Sequence, residues 1–218
     1  MENQTYDLQI KVYATDGQCY HFRQLREDDV TSTIEYLRRT KVFTAQHLAL
    51  NADGALTAFP SHLVSRLDIL ASEPLAQICT PTWNDAFEIS QEDYEVKRRE
   101  IMQHMATAGP HSPRGGVMVG LHTFYLLGGF HIHIQVQPIH SADHQRPEFA
   151  ESDFGSALQH SPPPAITIRR RDGGLTFLNT ANIVRKTRYP GAPEGATTIL
   201  MRDGEEVLNH NRGTVIHE

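Results

Sequence analysis

The sequence predicts an α+β protein made of two small β-rich units, each an antiparallel sheet, linked by a helix and a Gly/Pro hinge. Three observations carry that expectation. Short runs of alternating apolar and polar residues recur along the 218 residues, punctuated by Asp-Gly and Gly-Gly pairs that favour hairpins. A helix with a clear start and stop, about 90–108, lies between two groups of such runs. Finally, Asp53-Gly-Ala-Leu-Thr and the residues up to Arg66 echo Asp172-Gly-Gly-Leu-Thr and the residues up to Lys186, with one residue inserted. Each segment reads as a hairpin turn, a strand, a polar corner and a second strand, the mark either of a tandem duplication or of the common pattern on which hairpins followed by a bend converge.

The first unit, 1–72, opens with Leu8, Ile10 and Val12 alternating against Gln9, Lys11 and Tyr13, the pattern of a half-buried strand. Asp16-Gly17 then makes a hairpin turn, because both residues tolerate positive φ, and 19–23 returns as the second strand. Asp28 or Asp29 can cap a helix that lines up Val30, Ile34 and Leu37 on one face. Arg38, Arg39 and Lys41 follow at its C-terminal end, where the dipole favours cations. Strands at 42–50 and 55–59 flank Asp53-Gly54, and a last strand at 63–70 completes the order ββαβββ.

Residues 73–116 read as a connector. Periodicity is lost over 71–90, which holds Pro74, Pro81 and the single Trp83. Ser90 and Asp93 can satisfy each other's backbone donors as a helix start. The helix runs to Ala108 with Tyr94, Ile101, Met105 and Ala108 on one side, and Gly109-Pro110 stops it. The run GPHSPRGG at 109–116 is the hinge.

The second unit, 117–218, starts with strands at 117–127 and 130–137 around Gly128-Gly129. A two-residue loop there sets Tyr125 opposite Ile132 and Thr123 opposite Ile134. A long polar loop covers 141–164, and strands follow at 165–170, 175–178, 183–189 and 197–201.

Composition narrows the function. Twenty Lys and Arg against 26 Asp and Glu leave a net charge of −6, which argues against a nucleic-acid partner. No stretch reads as membrane-spanning. The acidic N-terminal residues lack an apolar signal core, so the expectation is a cytoplasmic protein with Cys19 and Cys79 reduced.

Two clusters carry candidate chemistry. Seven of the 13 histidines (His104, His111, His122, His131, His133, His140 and His144) fall within 104–144. His131 and His133, two apart on one strand, leave the same face. The two-residue-loop register sets His122 diagonally beside His133, near enough for three imidazoles to share a divalent metal, zinc or iron. His140 or His144, with Glu148 or Asp153, could complete such a set. The second cluster is basic: Arg169, Arg171, Arg185 and Arg188, on strands expected to be adjacent, form a stripe that would take a phosphate or carboxylate. Its alternative is a solvated face balanced by Glu92, Asp93, Glu95 and Glu100.

No nucleophile elbow, HExxH, phosphate-binding loop or calcium loop is present in the sequence. The expectation is therefore a non-enzymatic binding or regulatory module with a protein partner or an anionic small ligand. Exposed sheet edges add pairing between units, or homo-oligomerisation. The alternative is a metal-dependent enzyme, or a metal-binding protein, on the histidine hairpin.

Overall fold

A computed structural model describes residues 7–25, 30–35, 42–52, 54–71, 86–108, 120–136 and 164–189, with backbone alone for 104–108 and 188. Strand β1 (Leu8–Ala14) and β2 (Cys19–Gln24) form a first hairpin, and helix α1 spans 30–35. Then come the hairpin of β3 (His47–Ala52) and β4 (Ala55–Pro60), a 3-10 turn at Ser61–Leu63, and β5 (Val64–Ala71). Strand β6 (Ala86–Ile89) leads into α2 (Gln91–Ala108). The hairpin of β7 (Gly120–Leu126) and β8 (His131–Val136) follows, then that of β9 (Ala165–Arg169) and β10 (Leu175–Asn179). A second 3-10 turn, Thr180–Asn182, enters β11 (Ile183–Tyr189).

Nine strands make one mixed sheet in the order β11-β7-β8-β6-β9-β10-β5-β1-β2, and β3 with β4 stands apart as a two-stranded sheet. Where two small sheets are expected, antiparallel pairing of β5 with β10 makes them continuous. Strand β6, inside the expected connector, inserts between β8 and β9. With four residues it is too short to display a period. No helix among the described residues is long and apolar enough to cross a membrane.

The sheet must curl. Strands β10 and β11 stand at opposite ends of a run of six, which when flat would part them by roughly 24 Å at about 4.8 Å per strand. Only Thr180–Asn182 join them, a link of about 14 Å at full stretch. Inside the curl, Phe124, Leu126, Ile132, Ile134, Val136, Ile166, Ile168 and Leu178 form one core. On the other side of β5 and β10, Leu8, Ile10, Val12, Leu67, Ile69, Leu175 and Phe177 form a second, which Val30 and Ile34 of α1 and Phe59 of β4 cover. Alternate residues of β5 and β10 thus point to opposite interiors, which accounts for their burial along nearly every position. A third, smaller cluster lies under α2, where Tyr94 and Ile101 pack on Ile89 and Leu121. Ser90 starts that helix with half of the expected reciprocal cap: its Oγ accepts from the Asp93 N–H at 3.1 Å, while the Asp93 carboxylate accepts from the Ser90 hydroxyl at 2.9 Å in place of the Ser90 backbone N–H.

Matching backbone hydrogen bonds recur early and late in the chain. Thr15 N–H donates to Leu63 O at 2.9 Å, and Leu127 N–H donates to Asn182 O at 2.9 Å. Within the hairpins, Ala14 N–H meets Gln18 O at 2.9 Å and Leu126 N–H meets Phe130 O at 2.8 Å. An offset of 112 residues relates the hairpins (Thr15 to Leu127), and 119 relates the strand–turn–strand segments (Leu63 to Asn182), with no insertion between turn and strand. The hairpin turns also press together. A Cβ at Gly128, where φ is +90°, would come within 2.6 Å of Ala14 O. Tyr13 meets Phe130 edge-on with ring centres 5.1 Å apart. Asn179, which caps the second 3-10 turn, and Asn182 within it donate to carbonyls of the first turn and the residue after it, at Ser61, His62 and Val64.

Several expected features lie outside the described residues: the α1 caps Asp28 and Asp29 with Leu37 and the basic end, Cys79 and Trp83, the 109–116 hinge, the 141–163 part of the polar loop, and the strand at 197–201.

Candidate functional site

The β7–β8 hairpin differs from expectation by one residue. Its loop is Leu127-Gly128-Gly129, and the pairs are Tyr125↔His131, Thr123↔His133 and His122↔Ile134. The observed register puts Phe124 and Leu126 on the core face with Ile132, Ile134 and Val136, where the two-residue loop would have put Thr123 and Tyr125. Burial of the two more apolar side chains accounts for the shift. His122 therefore points into the core and is fully buried, while His131 and His133 leave the opposite face. The proposed metal set of His122, His131 and His133 does not converge, and no group of three or more His, Cys, Asp or Glu stands together as a metal site among the described residues. His140, His144, Glu148 and Asp153 lie outside those residues.

His133 is built into the helix–sheet contact. Its Nδ1 lies 2.9 Å from Thr123 Oγ1, and its Nε2 meets Gln91 Oε1 of α2. The Gln91 amide nitrogen donates to Glu95 Oε1 at 3.1 Å, which orients the amide oxygen toward the imidazole. The ring thus donates from Nε2 and accepts at Nδ1, the pattern of a neutral imidazole. Tyr94 stacks on it at 4.3 Å. Burial, with the neighbouring charge of His131, pulls the His133 pKa down to about 4.

The basic stripe is also dispersed. Strand β9 pairs with β6 and β10, so Arg169 is not on a strand adjacent to β11 in the sheet, which the stripe requires. Arg171 is exposed in the β9–β10 turn and pairs with Asp93 of α2 at 2.6 Å, as the solvated-face alternative expects. Arg185 lies opposite Tyr125, whereas Arg188 lies opposite His122, at positions belonging to different faces of β11.

One row does gather candidates from both sets. Arg185 of β11, Tyr125 of β7 and His131 of β8 lie side by side across three strands. The Arg185 guanidinium sits 3.8 Å from the centre of the Tyr125 ring, and His131 is exposed at the far end. The next two rows, Thr187–Thr123–His133 and Tyr189–Leu121–Gln135, run beneath α2 through Tyr94 and Ile101.

The first half contains the counterpart. Arg66 lies opposite Tyr13, with its guanidinium 5.0 Å from the ring centre. The offsets 119 and 112 carry Arg66 to Arg185 and Tyr13 to Tyr125. Here the cation is surrounded by acids. Arg66 makes a bidentate contact with Asp68 at 2.6 and 2.8 Å and donates to Glu88 at 2.7 Å. Tyr13 and Arg170 also donate to Asp68, at 3.0 and 2.7 Å. Thr176 Oγ1 lies 2.9 Å from Asp68 and 2.8 Å from Glu88. Burial opposes the charge on Arg66, but Asp68 and Glu88 outweigh it and hold the guanidinium charged above its ordinary range. At the position 119 residues after Asp68 stands Thr187.

Residue-by-residue reading of the sequence misses Arg66, Asp68 and Glu88. The available signal is two opposite charges two apart inside the otherwise apolar strand 63–70. No known protein family, curated protein or solved structure matches this chain.

Proposed function

We propose that the chain is a binding module whose ligand presents an acidic group, taken by Arg185 against the face of Tyr125. The observation that carries this reading is the paired geometry of Arg66–Tyr13 and Arg185–Tyr125. In the first pair a neighbouring Asp fills the fork of the guanidinium; in the second, Thr187 stands at the position of that Asp, and in this reading the ligand supplies the carboxylate. A planar guanidinium braced on a ring favours bidentate recognition of a carboxylate. His131 adds a further hydrogen-bonding group at the end of the row.

The same correspondence supports a tandem duplication, with units over 1–72 and 117–218. Strand β6 and helix α2 of the intervening stretch are then additions that complete the second unit. The preferred ligand is a protein partner with acidic side chains, with an anionic small molecule as the simpler case.

A fluorescein-labelled hexaglutamate peptide tests the reading by anisotropy at low salt. Arg185→Gln is expected to weaken binding about tenfold, roughly the 1.4 kcal/mol of one charge-assisted contact. Arg171→Gln, whose charge is already opposed by Asp93, is expected to stay within about twofold of the parent. Equal binding by the parent and Arg185→Gln, or no binding by the parent, contradicts the proposal.

A further inference from the structure

We infer that copies of this chain join head to tail, the β4 edge of one pairing antiparallel with the β11 edge of the next. This rests on the repeat correspondence proposed above, and not on the acidic-ligand reading.

Within one chain the halves are joined by β5 and β10, with Leu175 opposite Ile69 and Leu178 opposite Arg66. The 119-residue offset carries β10 back to β4 and β5 forward to β11. The same contact, made once more, would therefore set Leu56 opposite Arg188 and Phe59 opposite Arg185. These two strands cannot meet inside one chain as folded: β4 pairs with β3 in the separate sheet, and β11 ends the large sheet beside β7. Among the described residues, no strand pairs with the outer edge of either. A second copy can satisfy both.

Exposure follows this prediction. Leu56 on β4 is 72% exposed and Val184 on β11 is 64% exposed, the two highest values among the exposed large hydrophobic residues described. Their counterparts are Leu175, within the internal junction, and Ser65, the residue next to its last pair, which are 1% and 0% exposed. Apolar side chains are thus held in water at the positions that the internal copy of the contact covers. The ladder itself adds backbone hydrogen bonds along an edge that would otherwise be open to non-specific pairing. Because β4 and β11 are different surfaces, the contact is heterologous and propagates until a ring closes.

The test is solution mass by light scattering across a concentration series, on the parent chain, Leu56→Glu and Val184→Glu, with circular dichroism to verify folding. The parent is expected at a multiple of 24.6 kDa, and each variant at 24.6 kDa. An equimolar mixture is expected to give a two-chain species and nothing larger, since Leu56→Glu keeps an intact β11 edge and Val184→Glu an intact β4 edge. A monomeric parent, variants of unchanged size, or a Leu56→Glu chain that dimerises by itself would each overturn the inference. Acidic-peptide binding that survives in a monomeric parent removes the assembly alone. Assembly by a chain in which Arg185→Gln changes no binding removes only the ligand reading.

Discussion

His133 couples the second half's sheet to its covering helix through one proton. The imidazole is 7% exposed and neutral, wedged between Thr123, Gln91 and Tyr94. Its folded pKa of about 4 lies below the ordinary 6.5, so the unfolded chain binds the proton more readily. Stability from this group is present above pH 6.5 and declines as pH falls toward 4, by up to about 3 kcal/mol. Urea midpoints between pH 7 and pH 4.5 should therefore fall more steeply for the parent chain than for His133→Gln. Parallel pH profiles would mean that the ring titrates as it does in water. Histidine enrichment in 104–144 was visible in the sequence, but the partners were not. They come from a strand ten residues back and a helix some forty residues back, and alternation within one strand cannot report them.

Among the elements, β5 and β10 carry the most structure because each serves two interiors. On one side, Leu67, Ile69, Leu175 and Phe177 complete the first core. On the other, Arg66 and Asp68 join Glu88, Arg170 and Thr176 in a network across β5, β6, β10 and the β9–β10 turn. Arg66→Met keeps the length of the side chain but leaves the buried carboxylate of Asp68 and the half-buried one of Glu88 short of a cation. It should cost about 3–5 kcal/mol by urea unfolding, against no more than about 0.5 kcal/mol for Arg171→Met at its exposed pair with Asp93. Equal losses would show that the network contributes no more than a surface ion pair. Strand existence was largely legible, since the alternation at 8–14 and the Asp-Gly turns depend on local chemistry alone. Register was not. A three-residue loop at Leu127-Gly128-Gly129 and a two-residue loop at Gly128-Gly129 use the same glycines, and only burial of Phe124 and Leu126 decides between them. That single step moves His122 into the core and dissolves the expected imidazole cluster.

For the whole molecule, the proposals follow from the proposed tandem repetition. The echo between 53–66 and 172–186 was readable because a turn, a strand and a corner leave a local signature. The likeness of the Arg66–Tyr13 and Arg185–Tyr125 placements was hidden, because each Arg meets its tyrosine only through strands distant in sequence. Recreating the internal site in the second half tests the account most directly. Thr187→Asp places a carboxylate two residues from Arg185, as Asp68 stands to Arg66. If Arg185 takes the acidic group of the ligand, the new side chain will compete for it: hexaglutamate affinity should fall about tenfold or more, with a urea midpoint equal to or above that of the parent. Undiminished affinity in Thr187→Asp would contradict the account.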